Sequence, residues 1–419
     1  MRHSKGTAAS VAASHWIEKT ASLAALACLL AGAAMPAPAR ADEPIRIGMV
    51  LAKQGAVAIH SEYLMQGANM ALEEDGGKVL GRPVQLIWLD EPSPQAAQQN
   101  MQKLIDEDKV VAIVGGGTSA NALALSALAN RAKIPFIAPN AAADELTGKA
   151  CNRYTFRAHL PVKPQVRAMS QQLLTLGKRW YFLTASYAFG QGVSEQFQKQ
   201  LLASGGTVAG ADAAPLNTPD YTSYILKIRQ AKPDVVVSGL AGSDVSTFLK
   251  QWNEMGMKGQ IPIAQIGSAD SDIWGVGPNA VAGYYSKDWY FNNPANVAED
   301  KTFAAAYQKK YKHPAPDRAW TGWFVMRSLL QSIDQAKSVE PAAIVKALES
   351  WRDANRPMPA YYRAWDHQML VPILVAKVKS KIPDNYDFLD VVKTLPDNAA
   401  GLDALYGDKA DVGCQMGAL

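Results

Sequence analysis

Val110-Val111-Ala112-Ile113-Val114-Gly115-Gly116-Gly117-Thr118-Ser119-Ala120 is the stretch that decides how this chain folds. The apolar run has no polar face, which suits a strand covered on both sides, as in a parallel sheet. It enters three glycines and two hydroxyl residues, and Ala120 to Lys133 reads as a helix. Strand, glycine-rich turn and helix form the repeating unit of a doubly wound α/β fold. Upstream, Ile45 to Val50 and Val84 to Leu89 read as strands, with helical stretches at Met65 to Glu74 and Met101 to Glu107. Downstream, Pro135 to Pro139 is a fourth strand. This order implies a parallel sheet with helices on both faces.

The pattern then restarts. Arg179 to Leu183, a run beginning at Thr207-Val208, and Asp234 to Ser238 read as strands. Gly192 to Ala203, Tyr221 to Gln230 and Ser243 to Met255 read as helices between and after them, and Ile261 to Ala264 leads into Gly267. Two doubly wound halves in succession are expected, alike in architecture and not in sequence. Helices at 302–311, 320–336 and 341–351 and a β-type run at 370–378 follow, so the chain is expected to cross back to both halves. From Pro383 the residues have little regular patterning, which suits a surface tail.

Composition narrows the functional classes. Arg2, Lys5 and Lys19 precede an apolar run, Ala21 to Ala34, and Ala39-Arg40-Ala41 offers small residues for cleavage, so 1–41 reads as a secretory signal peptide. The run is short of the roughly 20 residues that span a bilayer. Cys28 lies in a poor lipoprotein context, and a freely soluble product is expected. The formal net charge of +4 comes mostly from that leader. A nearly neutral remainder has no reason to seek nucleic acid or anionic lipid. Cys151 and Cys414 remain, and an oxidising compartment favours their pairing.

In parallel α/β sheets, ligands bind beyond the carboxyl ends of the strands. The loops in that position are 53–63, 115–121, 140–143, 186–191, 239–244 and 267–272, drawn from both halves, and facing each other they would line a cleft. Gly115 to Ala120 formally fits a dinucleotide fingerprint. It follows the third strand instead of the first, no acidic residue ends the next strand, and the protein is read as exported, so the turn suits a carboxylate better than a nucleotide. Ser119 stands where a helix begins, as a cap and as a ligand donor. Tyr187 and Phe189 could cover a ligand, although aromatics serve cores more often. His60, His159, His313 and His367 have no metal-ligand spacing, and no nucleophile elbow or Walker loop is present. No catalytic residue, metal or cofactor is expected.

These loops carry a family resemblance. Ile45 to Val50, Gly67-Ala68, Val114 to Ser119, Pro139 with Asp144 to Thr147, Tyr187 to Gly190 and Asn217 to Tyr221 resemble, in order and spacing, the branched-chain amino-acid-type periplasmic binding proteins. The resemblance implies a type I periplasmic binding fold, with two Rossmann-like lobes joined by a three-stranded hinge. Lobe one would hold 42–158 and 288–355, lobe two 159–287 and 356–385, and 386–419 would be the tail. It implies a monomeric periplasmic solute-binding protein of an ABC importer that presents a small carboxylate or amino acid to permease subunits after hinge closure. A ligand-sensing module reporting to a regulator or kinase is the alternative.

The resemblance places ligand contacts at Thr118 and Ser119, at Asn140, Ala141 and Ala142, and at Tyr187 and Phe189, with His60 over the cleft. Gly242 and Asp270 complete the candidate set on the second lobe. Two positions depart from the family pattern. Ala142 replaces an expected threonine, and Ala269 stands where an acidic residue would receive a ligand ammonium, with Asp270 and Asp272 adjacent. A buried ammonium without a charge partner is costly. The departures therefore favour a carboxylate lacking an amino group, such as an aromatic acid.

Overall fold

The structure, a computed structural model, describes residues 43–419; the expected signal peptide lies outside the described residues. The first sheet contains β1 (Ile45–Val50), β2 (Lys78–Val79), β3 (Arg82–Leu89), β4 (Ala112–Gly115), β5 (Phe136–Ala138) and β6 (Thr155–Arg157). Its order is β2-β3-β1-β4-β5-β6, parallel except for the β2–β3 pair. Ile45, Ile47, Met49 and Val50 are all buried because helices cover both faces of β1. On one face, Ala97, Met101 and Leu104 of the helix Pro94–Asp106 pack with Leu125 and Ala129 of the helix Ser119–Ala132. The helices Ala58–Glu74 and Asp317–Ala336 cover the other. They cross in backbone contact: a Cβ on Gly67 would overlap the Ala319 carbonyl, and one on Gly322 the Leu64 carbonyl.

The second sheet contains β7 (Arg179–Ala185), β8 (Thr207–Ala214), β9 (Val235–Gly239), β10 (Ile263–Gln265) and β11 (Tyr284–Lys287). A small separate sheet follows, made of β12 (Arg352–Asp353), β13 (Ala360–Tyr362) and β14 (Met369–Leu370). Then β15 (Ile373–Val378) and β16 (Leu389–Leu395) extend the second sheet, whose order is β16-β15-β11-β10-β9-β7-β8. The strands from β7 to β11 run parallel, and β15 and β16 are antiparallel additions. The chain therefore passes between the sheets three times: after β6, after β11 and after β14. This is the type I periplasmic binding fold.

Several local readings change, among them the loops 53–63 and 267–272, which become helical at Ala58 and Asp270. The residues after Pro383 include a strand, β16, paired with β15 along 389–395. It is an edge strand with Val392 half exposed, so its sequence lacks a buried face to signal it. Residues 356–370, expected in lobe two, contact first-lobe elements: Arg157 bridges to Gln368, and His367 stacks on Phe156 with centroids 3.9 Å apart. Finally, the stretch 186–191 is not all loop, because the helix Ala188–Ala203 starts four residues before its expected beginning at Gly192.

Cys151 and Cys414 are joined in a disulfide across a sequence separation of 263. The tail is held elsewhere too. Arg167 and Lys163, on the helix Val162–Leu174, reach the Asp411 side chain (2.6 Å) and its carbonyl (2.6 Å), and Tyr406 Oη donates to Val371 O at the third crossing (2.9 Å).

Candidate functional site

The site is built where β4, β5, β7, β9 and β10 end. Gly116, with φ +84°, turns the chain after β4, and a Cβ there would meet Ala122 at 2.6 Å. The turn delivers Thr118, not Ser119, as the helix cap: its Oγ1 accepts from Asn121 N at 3.2 Å. The reading of Ser119 as a cap is thereby corrected. Its Oγ accepts instead from Ala143 N (3.1 Å), tying the loop after β4 to the loop after β5. The hydroxyl hydrogen remains available to a ligand. Arg157, fully buried, fixes the second loop by donating to Ala143 O at 2.5 Å. Asn140 Nδ2 donates to Gly117 O (2.8 Å) and lies 3.3 Å from His60 Nδ1.

The second lobe supplies rings. Tyr187 precedes the helix Ala188–Ala203 and Phe189 sits in its first turn, with ring centroids 6.1 Å apart. Gly267, with φ +70°, lies against the Phe189 ring, where a Cβ would approach to 2.8 Å. His60, Thr118, Ser119, Asn140, Ala142, Tyr187 and Phe189 thus line one cavity together. Val57, Gly117, His159, Ala241 and Gly267 complete its wall. Its volume is about 20 Å³, room for roughly one water, so any larger solute requires the lobes to part or these side chains to swing aside.

Three expected contacts lie elsewhere. Ala141 is fully buried against the helix layer of the first sheet. Gly242 presses on the other lobe: a Cβ there would overlap Ala56 O, and Ser243 N donates to that same oxygen at 3.0 Å. Asp270 is wholly buried and faces Lys287 Nζ at 2.8 Å, while the same ammonium meets Asp317 at 2.7 Å. Burial pushes the Asp270 carboxyl up, reinforced by Asp317 and opposed by Lys287. Asp317 is held low: Lys287 and Arg318 outweigh its burial. Asp270 therefore belongs to an internal charge cluster at a lobe crossing and not to the cavity wall.

Three further residues of this region are not among the expected ligand contacts. Glu91 follows β3, and because β3 and β4 flank β1 it reaches the glycine turn, accepting from Gly116 N (3.1 Å) and Gly117 N (2.5 Å). The turn's amides are thus taken up by the chain's own carboxyl, and burial pushes that carboxyl to about 8 against their pull. Asp272, two residues beyond Asp270, accepts from His60 across the cleft, Nε2 to Oδ1 2.7 Å. His159 leaves the first crossing beside the cavity, its Nδ1 3.6 Å from Asp288. Burial, then Arg318, pushes it down to about 4 against Asp288, so it is neutral at pH 7. Among the described residues no group of three or more His, Cys, Asp or Glu could hold a metal ion.

Two lobes whose loop ends meet around a shared cavity, with hydroxyl and amide donors on one side and rings on the other, define a solute-binding protein. The periplasmic binding protein family model matches residues 44–383, and the chain belongs to that family. It is 27% identical over 358 residues to a Leu/Ile/Val-binding protein homolog of Brucella suis, covering 80% of this chain and 86% of the relative. Among solved structures, a periplasmic binding protein from Burkholderia mallei superposes with TM-score 0.80 at 24% identity, covering 88% of this chain and 98% of that one. An ABC-transporter solute-binding protein from Rhodopseudomonas palustris, solved with 3,4-dihydroxybenzoic acid, gives TM-score 0.77 at 20% identity, covering 86% and 98%.

Proposed function

We propose that this chain captures a small carboxylate without an amino group, an aromatic acid foremost, and delivers it in the periplasm to the permease of an ABC importer. One observation carries the reading: among the described residues, the cavity wall contains no acidic side chain. Ser119 and the helix N-terminus behind it suit a carboxylate, since terminal amides and the helix dipole favour negative charge. Tyr187 and Phe189 suit a planar ring. Asn140 Oδ1 is buried without a partner among the described residues, which suits a ring hydroxyl as donor. The fold-mate bound to a dihydroxybenzoic acid shows this architecture holding such a solute.

A solute resting on the first lobe gains the second lobe's contacts only on closure, so it favours the closed form that permease subunits would recognise. The chain would act as a monomer, exported through the 1–41 signal. Calorimetric titration with benzoate, 4-hydroxybenzoate, leucine and valine tests the reading. Binding of the aromatic acids is expected, and binding of leucine or valine alone would overturn it.

A further inference from the structure

We propose that His60 is a specificity-determining residue that masks Asp272 from the solute and so excludes ligands carrying an α-ammonium. The inference deepens the function proposed above and rests on it. A buried ammonium needs a carboxylate partner. An α-ammonium lies one carbon from the carboxylate, so its partner must stand near the Ser119 and Asn140 shelf. His60 stands there, with Nδ1 3.3 Å from Asn140 Nδ2. Asn140 can only donate in that contact, so His60 Nδ1 accepts and Nε2 carries the hydrogen directed at Asp272. Asp272 is the second-lobe carboxylate directly behind this imidazole, and the pair is closed to solvent, at 1% and 0% side-chain exposure.

Both Asp272 oxygens are already engaged. Oδ1 accepts from His60, and Oδ2 accepts from Ala269 N at 2.9 Å. The other acids nearby are taken up internally as well: Asp270 by Lys287, Asp244 by Asn217 N at 3.0 Å, and Glu91 by the glycine turn. Asp317 is likewise held by Lys287, and Asp288, whose Oδ2 has no hydrogen-bond partner among the described residues, stands behind the His159 ring. An amino-acid ligand would therefore have to displace an imidazole from a carboxylate that is already satisfied, or bury its ammonium unpaired.

Calorimetry on the full chain decides the matter, with leucine and benzoate titrated against wild type, His60→Ala, His60→Ser and the double variant His60→Ala/Asp272→Asn. His60→Ser likewise uncovers Asp272 while keeping a small polar side chain, which covers the case where His60→Ala fails to fold. Either single variant should bind leucine at least about 100-fold tighter than wild type, the scale set by pairing a buried charge. The double variant should lose that gain, a reversal that general loosening of the cleft would not produce. Absence of any gain in a folded single variant overturns the masking role and leaves the aromatic-acid reading standing. Wild type binding leucine as tightly as benzoate overturns both.

Discussion

Ser119 holds its position because Ala143 N donates to its oxygen, which leaves the hydroxyl hydrogen for the carboxylate proposed above. Ser119→Ala should weaken aromatic-acid binding about ten-fold, the worth of a hydrogen bond to a charged group, about 1.5 kcal/mol. Unchanged affinity by calorimetry would take Ser119 out of the site. Glu91 makes a different prediction. Its carboxyl holds a proton up to about 8 in the folded protein, whereas in the unfolded chain it sheds it near the ordinary carboxylate value of 4.5. The stability this contributes is complete below that ordinary value and is lost as pH rises through about 8, at up to about 1.4 kcal/mol per pH unit. Glu91→Gln should lack that slope, so the stability difference between variant and wild type should change with pH in urea titrations at pH 5, 6.5 and 8. A difference independent of pH would place the proton elsewhere.

Elements meet most closely where the helices Ala58–Glu74 and Asp317–Ala336 cross at Gly67 and Gly322. A methyl group at Gly322 has backbone, not a flexible side-chain end, in its way, so the helices must separate. Gly322→Ala should cost about 1–3 kcal/mol despite its better helix propensity, read as a lower denaturant midpoint, and an unchanged midpoint would show that the crossing can relax. The same scale explains what the sequence makes legible. The alternation of apolar runs and helices around Val110 to Ala120 carries the fold, because parallel strands buried on both faces leave an unmistakable run. β11 is harder to see, because Lys287 ends a wholly buried strand and is tolerable only between Asp270 and Asp317. Within the candidate site, position singles out the strand-end loops and the resemblance the residues on them, of which Ala141, Gly242 and Asp270 lie off the cavity wall. Neither signals the pairing of Glu91 with the glycine turn or of Asp272 with His60, since each pair meets only through strand order or lobe contact.

For the molecule as a whole, the disulfide closes a loop spanning a sequence separation of 263, long enough that the chain-entropy argument assigns it about 5 kcal/mol as an upper bound. Cys414→Ser should lower unfolding stability by about 2–5 kcal/mol, measured in guanidinium, and a smaller loss would mean the tail's polar contacts suffice. Those contacts have a mechanical meaning. The tail is fastened to Cys151 beside the first sheet, to the Val162–Leu174 helix beyond the first crossing, and to Val371 at the third. A segment pinned at these three points would act as a tether on opening, and its release should widen the mouth before it alters what is held there.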